Sequence, residues 1–133
     1  MPDCLFCNIV RGEIPCHKVY EDERVLAFLD IQPVNPGHVL VIPKTHSANM
    51  VHMAPEDLHA VMDAVQKIAP ALLRAVGFEG FNLGVNTGAA AGQVVFHTHF
   101  HVMPRRPGDG YELWHGTEAG DLAAMAEKVR GAL

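Results

Sequence analysis

The 133-residue chain is short of several things, and each shortage closes off a class of protein. Basic residues are few: ten Lys and Arg against fifteen Asp and Glu leave a net charge of −5, so there is no broad basic face for a nucleic-acid groove. Cysteine is limited to Cys4, Cys7 and Cys16, and three thiols cannot all pair within one chain, which argues against a disulfide scaffold. No apolar run is long enough to cross a membrane. The opening Met1-Pro2-Asp3-Cys4 carries an acid where a secretory leader carries basic residues and then a long apolar stretch, so a cytoplasmic location is expected. Repeats and low-complexity tracts are missing too. What remains, 49% hydrophobic and 19% charged residues, is the composition of one folded domain with a real core.

The pattern along the chain predicts an α+β domain with an antiparallel sheet. Residues 5–11 read as a short helical segment ending at Gly12. Lys18–Glu21 and Val25–Leu29 read as strands, and the proline-rich stretch 31–37 as a loop. His38 opens a strand over 38–42 that Pro43 stops. Leu58, Val61, Met62, Val65, Ile68, Leu72, Leu73 and Val76 recur at three- and four-residue steps, which predicts a helix over Pro55–Val76 capped by Gly77. Pro70 inside it removes an amide donor and should bend or break it. A strand over 81–85, a flexible loop over 86–92, a strand ending near Pro104 and a turn at 107–110 follow. Leu122, Met125, Ala126, Val129 and Leu133 suggest a C-terminal amphipathic helix.

Chemistry concentrates in His97-Thr98-His99-Phe100-His101. Successive side chains of a strand alternate between faces, so the three imidazoles share one side while Thr98, Phe100 and Val102 take the other. Three readings are open at this point. The imidazoles are ligands of a metal, with His38 available as a further donor. They are a nucleophile and its proton-transfer partners, one ring held in a fixed tautomer by a hydrogen bond. Or they are solvated residues of an edge strand. Cys4-x-x-Cys7 is likewise either a redox pair or half of a tetrahedral zinc site.

The triad followed by Val102 and Met103 resembles the signature of the histidine triad (HIT) family, three alternate histidines with apolar residues between and after them. Three further segments agree, in the right order: Leu5-Phe6-Cys7-Asn8-Ile9-Val10 with Gly12-Glu13-Ile14-Pro15, then Leu26-Ala27-Phe28-Leu29-Asp30-Ile31 with Pro33, then Gly37-His38-Val39-Leu40-Val41-Ile42-Pro43-Lys44. The ending His101-Val102-Met103-Pro104-Arg105 resembles the bacterial Hit and Fhit branches of the family more than the Hint branch. The resemblance implies a HIT-like fold, an antiparallel sheet of about five strands with one long helix and a C-terminal helix. Residues 1–110 would form the domain, and 111–133 an extension within the same globular unit.

The same resemblance implies a nucleotide hydrolase acting at the α-phosphate of nucleoside phosphoramidates or dinucleoside polyphosphates. His99 would be the nucleophile that forms a nucleotidyl-histidine, with His101 and His38 as its catalytic partners. Phe6, Ile9, Phe28 and Ile31 would form the base slot and Asp30 would take the ribose hydroxyls. Asn86, Gly92, Gln93 and Val94 would lie at the phosphate. Cys4, Cys7, His46 and His97 would hold a structural zinc, and catalysis itself would need no cofactor. A purine nucleotide, adenosine by family default, would be the substrate, and the protein would form a homodimer with neither nucleic acid nor membrane as partner. His101 in place of a glutamine favours water as the final acceptor. Val94 departs from the serine or threonine of many members. The alternatives are a non-catalytic nucleotide-binding or regulatory module and a metalloenzyme built on the triad.

Overall fold

The computed structural model describes residues 3–133; Met1 and Pro2, where the expected domain starts and the leader reading begins, lie outside the described residues. Five strands form one antiparallel sheet in the order β1-β2-β3-β5-β4: β1 (Lys18–Glu21), β2 (Val25–Leu29), β3 (Val39–Pro43), β4 (Gly80–Val85) and β5 (Phe100–Arg105). The long helix α2 (Pro55–Val76) covers one face and the short helix α1 (Leu5–Val10) the other.

The period of two in the strands sorts the residues between these faces. Val25, Ala27, Val39, Val41, Phe100 and Val102 pack on α2, against Val61, Ala64, Val65, Ile68 and Ala69. Leu26, Phe28, Leu40 and Ile42 pack on the other side with Phe6 of α1. The register sets His101 opposite Leu40, which puts that histidine on the α1 face. Each fully buried aliphatic side chain here contributes roughly 1.5–3 kcal/mol, so a one-residue slip, which would turn every side chain over, is strongly disfavoured.

Two expectations needed correction. α2 runs unbroken through Pro70. Pro70 and Gln66, whose carbonyl would have accepted the missing N–H, are both exposed, so water takes the place of the lost donor and the proline costs too little to break the helix. Pro43 closes β3 from within, pairing with Val25, while β5 pairs only with Val39, Leu40 and Val41. A proline with a strand partner on one side only is tolerated.

β4 lies at a sheet edge with Phe81 and Leu83 exposed. The final helix α3 (Leu122–Ala132) is capped by Asp121, whose carboxylate accepts the Ala124 N–H, and it contains no buried residue. Leu122, Met125 and Val129 form an exposed stripe along it, and Trp114 in the segment before it is 90% exposed. Among the described residues no helix is long and apolar enough to cross a membrane.

Candidate active site

A cavity of about 580 Å³ opens between α1 and the α1 face of the sheet. Phe6, Ile9, Phe28, Asp30, Ile31, Val94, His99 and His101 line it, all of them expected at the site. Phe6 and Phe28 meet edge to face at 5.6 Å, and Phe6 also stands edge-on to His99 at 5.1 Å. Ile31, 89% exposed, forms part of the rim. Ile14, Pro15, Cys16, His17 and Leu40 also line the cavity, although the sequence reading gave them no place in it. Gly12-Glu13-Ile14-Pro15 was the available signal for two of them. Nothing in the spacing around Cys16 and His17 points to the cavity.

Asn86, Gly92 and Gln93 do not line the cavity; they build the loop beside it. Gln93 is buried, with its Oε1 accepting the Gly88 N–H and its Nε2 donating to the carbonyls of Ala48 and Val95. Asn86 donates to the carbonyl of Gly92, a residue at φ +94°, which favours glycine.

The histidines divide into two groups. Strand pairing of β5 starts only at Phe100, later than the sequence suggested. Continuing the register would oppose Thr98 to Pro43, which has no N–H to give and whose carbonyl accepts the Nε2–H of His97 at 2.8 Å. Thr98 instead bonds Ser47 through its N–H and hydroxyl. His97, His99 and His101 still alternate on the α1 face, but they do not converge on one point. His97 turns to Cys4, Cys7 and His46, whereas His101 joins His38 and Asp30.

Hydrogen bonds to main-chain groups fix each tautomer, because a carbonyl only accepts and an amide only donates. The Nδ1–H of His99 donates to the carbonyl of His97 at 2.8 Å, which leaves Nε2 of His99 with a free lone pair. The Val34 N–H donates to His38 Nδ1 at 3.0 Å, so His38 carries its proton on Nε2. That Nε2–H donates to His101 Nδ1 at 2.9 Å, which puts the His101 proton on Nε2. The Asp30 carboxylate stands 3.5 Å from His38 Nε2, and also accepts the Gln32 N–H. Burial pushes the His38 pKa down, partly offset by Asp30. Burial also lowers His101, to about 4, helped by repulsion from His99 and His38. Both rings are therefore neutral near pH 7. The Val34 contact also makes His38 a poor metal ligand: with Nδ1 engaged as an acceptor, a cation on Nε2 would need an imidazolate.

The second group has the donor chemistry of a tetrahedral zinc site. The Nε2–H of His97 is committed to Pro43, so its Nδ1 is bare, and it lies 3.4 Å from Cys4 Sγ and 3.5 Å from Cys7 Sγ. His46 Nδ1 is 3.5 Å from Cys7 Sγ. Zn–S of about 2.3 Å and Zn–N of about 2.0 Å at tetrahedral angles place S and N about 3.5 Å apart, so the four residues fit the ion. Burial and the neighbouring Cys4 raise the Cys7 thiol pKa, which is the environment of a thiolate that needs a cation.

The HIT domain family profile matches residues 11–108. Adenylylsulfatase HINT3 of Arabidopsis thaliana is 49% identical over 107 residues, 80% of this chain and 54% of that protein, so the chain spans about half of that relative. Protein hit of Bacillus subtilis is 48% identical over 120 residues, 90% of this chain and 83% of that one. Adenosine 5'-monophosphoramidase hnt1 of Schizosaccharomyces pombe is 43% identical over 128 residues, 96% and 92% of the two chains. A crystal structure from Streptococcus mutans superposes with a TM-score of 0.94 at 43% identity, covering 99% of this chain and 86% of that one. A zinc-bound histidine triad family protein from Mycobacterium smegmatis does so with a TM-score of 0.79 at 38% identity, covering 99% of both. The alternating histidines, the slot beside them and these likenesses lead to one conclusion: the chain belongs to the histidine triad family, and its relatives include bacterial Hit-like proteins.

Proposed function

We propose that the protein is a nucleotide hydrolase that cleaves at the α-phosphate through a nucleotidyl-histidine on His99. The observation that carries this is the bond from His99 Nδ1–H to the His97 carbonyl, which keeps the opposite ring nitrogen unprotonated at the wall of the cavity. In the first step that nitrogen forms a bond to phosphorus and the bond from phosphorus to the leaving group breaks. A phosphoramidate whose leaving nitrogen has taken a proton from solvent loses that nitrogen as the neutral amine, while the His101 Nε2–H, held in place by His38, donates a hydrogen bond to the phosphate. The ring of His99 becomes cationic, and the His97 carbonyl stabilises it. Water then attacks phosphorus, the N–P bond breaks, the nucleoside monophosphate leaves with His99 neutral again, and the surplus proton of the water passes to solvent. Asp30 accepts from the ribose hydroxyls, and Phe6, Ile9 and Phe28 hold the base, with adenine as the expected one.

A nucleoside phosphoramidate is a better candidate than a dinucleoside polyphosphate. Among the described residues no lysine or arginine lines the cavity. Lys44 pairs with Glu21, Arg24 with Asp57 and Arg105 with Asp109. A leaving group with several negative charges would therefore meet no countercharge. Two relatives bear names of enzymes acting on adenosine 5'-phosphate derivatives, which supports the reaction class.

The metal reading is zinc: Cys4, Cys7, His46 and His97 would hold it, and it would fasten α1 to the segment before β5 without supplying chemistry to the reaction. Gln93 we read as a strut for the phosphate loop, with Asn86 and Gly92 beside it and Val94 at the leaving-group side. A homodimer fits the exposed Phe81 and Leu83 on edge strand β4, and residues 111–133, whose apolar stripe lies exposed on α3, form the extension of the same unit. Free thiols suit a reducing, cytoplasmic setting.

The test is mass spectrometry of the protein after brief exposure to adenosine phosphoramidate. A mass increase of one adenylyl group on the peptide holding His99, and its loss in His99→Ala together with a fall in turnover on the order of 10³-fold or more, is the expected result. Unchanged turnover in His99→Ala, or tight nucleoside monophosphate binding with no turnover in the wild type, would replace the hydrolase by a binding module.

A further inference from the structure

The loop that delivers His38 is held from a place outside the cavity. Asn35 is buried, and its Nδ2 donates to the Pro104 carbonyl at the end of β5 and to Asp109 Oδ2, both at 2.9 Å. Asp109 has a side chain only 3% exposed. It also accepts from Arg105 Nε and Nη2 at 2.6 and 3.0 Å and from the amides of Tyr111 and Arg106 at 3.1 and 3.4 Å. Arg105 in turn donates to Asn82 on β4. The carboxamide of Asn35 is thus fixed to the far end of the strand that carries His101.

The main chain of the same loop grips His38 twice. The Asn35 carbonyl accepts the His38 N–H at 3.2 Å, and the preceding amide, of Val34, donates to His38 Nδ1 at 3.0 Å. Gly37 closes the turn at φ +86°, where an added Cβ would lie 2.9 Å from both Leu72 and Val76 of α2. The second of the two grips decides which ring nitrogen of His38 is protonated, and so whether His38 donates to His101 or accepts from it.

We propose that Asn35 and Asp109 are positioning residues for the reaction: they hold residues 34 and 35 where the Val34 amide locks His38 in the tautomer that donates to His101. This rests on the catalytic reading of His38 and goes beyond it. Once Asn35 is loosened, the Val34 amide leaves the ring, the proton distributes over both nitrogens, and His101 loses its fixed donor. Nucleotide contacts are untouched, because neither Asn35 nor Asp109 lines the cavity.

The experiment uses the full chain, labelled with ¹⁵N-histidine, and two-bond ¹H–¹⁵N correlation spectra to read ring tautomers. The wild type shows His38 protonated on Nε2 alone, and Asn35→Ala shows a mixture of the two tautomers. With adenosine phosphoramidate, Asn35→Ala lowers kcat about tenfold with KM changed less than about twofold, while the same substitution in a His38→Ala background costs less than about twofold. A folded Asn35→Ala with His38 still wholly Nε2-protonated would overturn the proposal. So would an equal loss in both backgrounds, which is the mark of a general structural role. Should Asn35→Ala not fold, Asp109→Asn undergoes the same measurements with the same expectations. Full activity of His38→Ala would remove His38 from the catalytic reading, and the tautomer spectrum would still decide whether Asn35 sets the ring.

Discussion

His97 and His99 are joined by a 2.8 Å hydrogen bond from the ring Nδ1–H of one to the main-chain carbonyl of the other. The same His97 presents its ring to Cys4 and Cys7 and anchors on Pro43. The candidate metal centre and the candidate nucleophile therefore meet in one residue, the ring serving the first and the carbonyl the second.

Loss of the metal ligands should be felt at the nucleophile. Cys4→Ser/Cys7→Ser is expected to lose one equivalent of zinc by elemental analysis, to melt several degrees lower, and to turn over adenosine phosphoramidate about tenfold more slowly while still folding. An unchanged metal content in the double variant would move the ion away from these cysteines.

Stability should fall on the acid side. His101 is held at about 4 in the fold, against an ordinary value of 6.5, and burial lowers His38 and His97 as well. A depressed histidine binds fewer protons folded than unfolded, so its contribution is complete above about pH 6.5 and is lost as pH falls toward 4. Between pH 7 and pH 5 the loss through His101, discounted for its partial exposure, is about 1–2 kcal/mol. Denaturant titrations at the two pH values measure it; equal midpoints would contradict the buried neutral histidines.

Asp30 should discriminate sugars. Removing one charge-assisted contact costs about 1.5–3 kcal/mol, or on the order of 10- to 100-fold in kcat/KM for a ribonucleotide. Asp30→Ala is expected to lose that much with the ribonucleotide and much less with the 2′,3′-dideoxy analogue. Equal losses on both would assign Asp30 to His38 alone.

The leaving group should be small in charge. Adenosine phosphoramidate is expected to react at least about tenfold faster than diadenosine triphosphate at equal concentration, because among the described residues no lysine or arginine lines the cavity to meet a polyphosphate. Val94→Ser, which places a hydroxyl at an 84% exposed position on the cavity rim, should raise phosphoramidate turnover a few-fold. Faster hydrolysis of the triphosphate would reverse the assignment.

Much of this architecture is legible in the residues because the signals are periodic. The steps of Leu58 through Val76 gave α2 its full extent, and the alternation of His97, His99 and His101 gave their shared face. Other features depend on chain paths that no spacing encodes. Cys16 and His17 enter the cavity wall because the loop between α1 and β1 folds back over it. Gln93 looked like a phosphate donor from its place in the motif, yet its amide bonds three main-chain partners. The start of β5 is set by Pro43 on the neighbouring strand, a long-range effect that a local reading of 94–104 does not contain. Pro70 was judged by its local penalty, and its exposed setting removed most of it.

Strand β4 closes the sheet on one side, and among the described residues no further strand pairs with its outer edge. Such a border is a template for another strand. Left uncovered, it carries a standing hazard of mispairing and precipitation. A charged residue at Phe81 or Leu83 would change how this protein survives handling long before it altered any bond in the candidate active site.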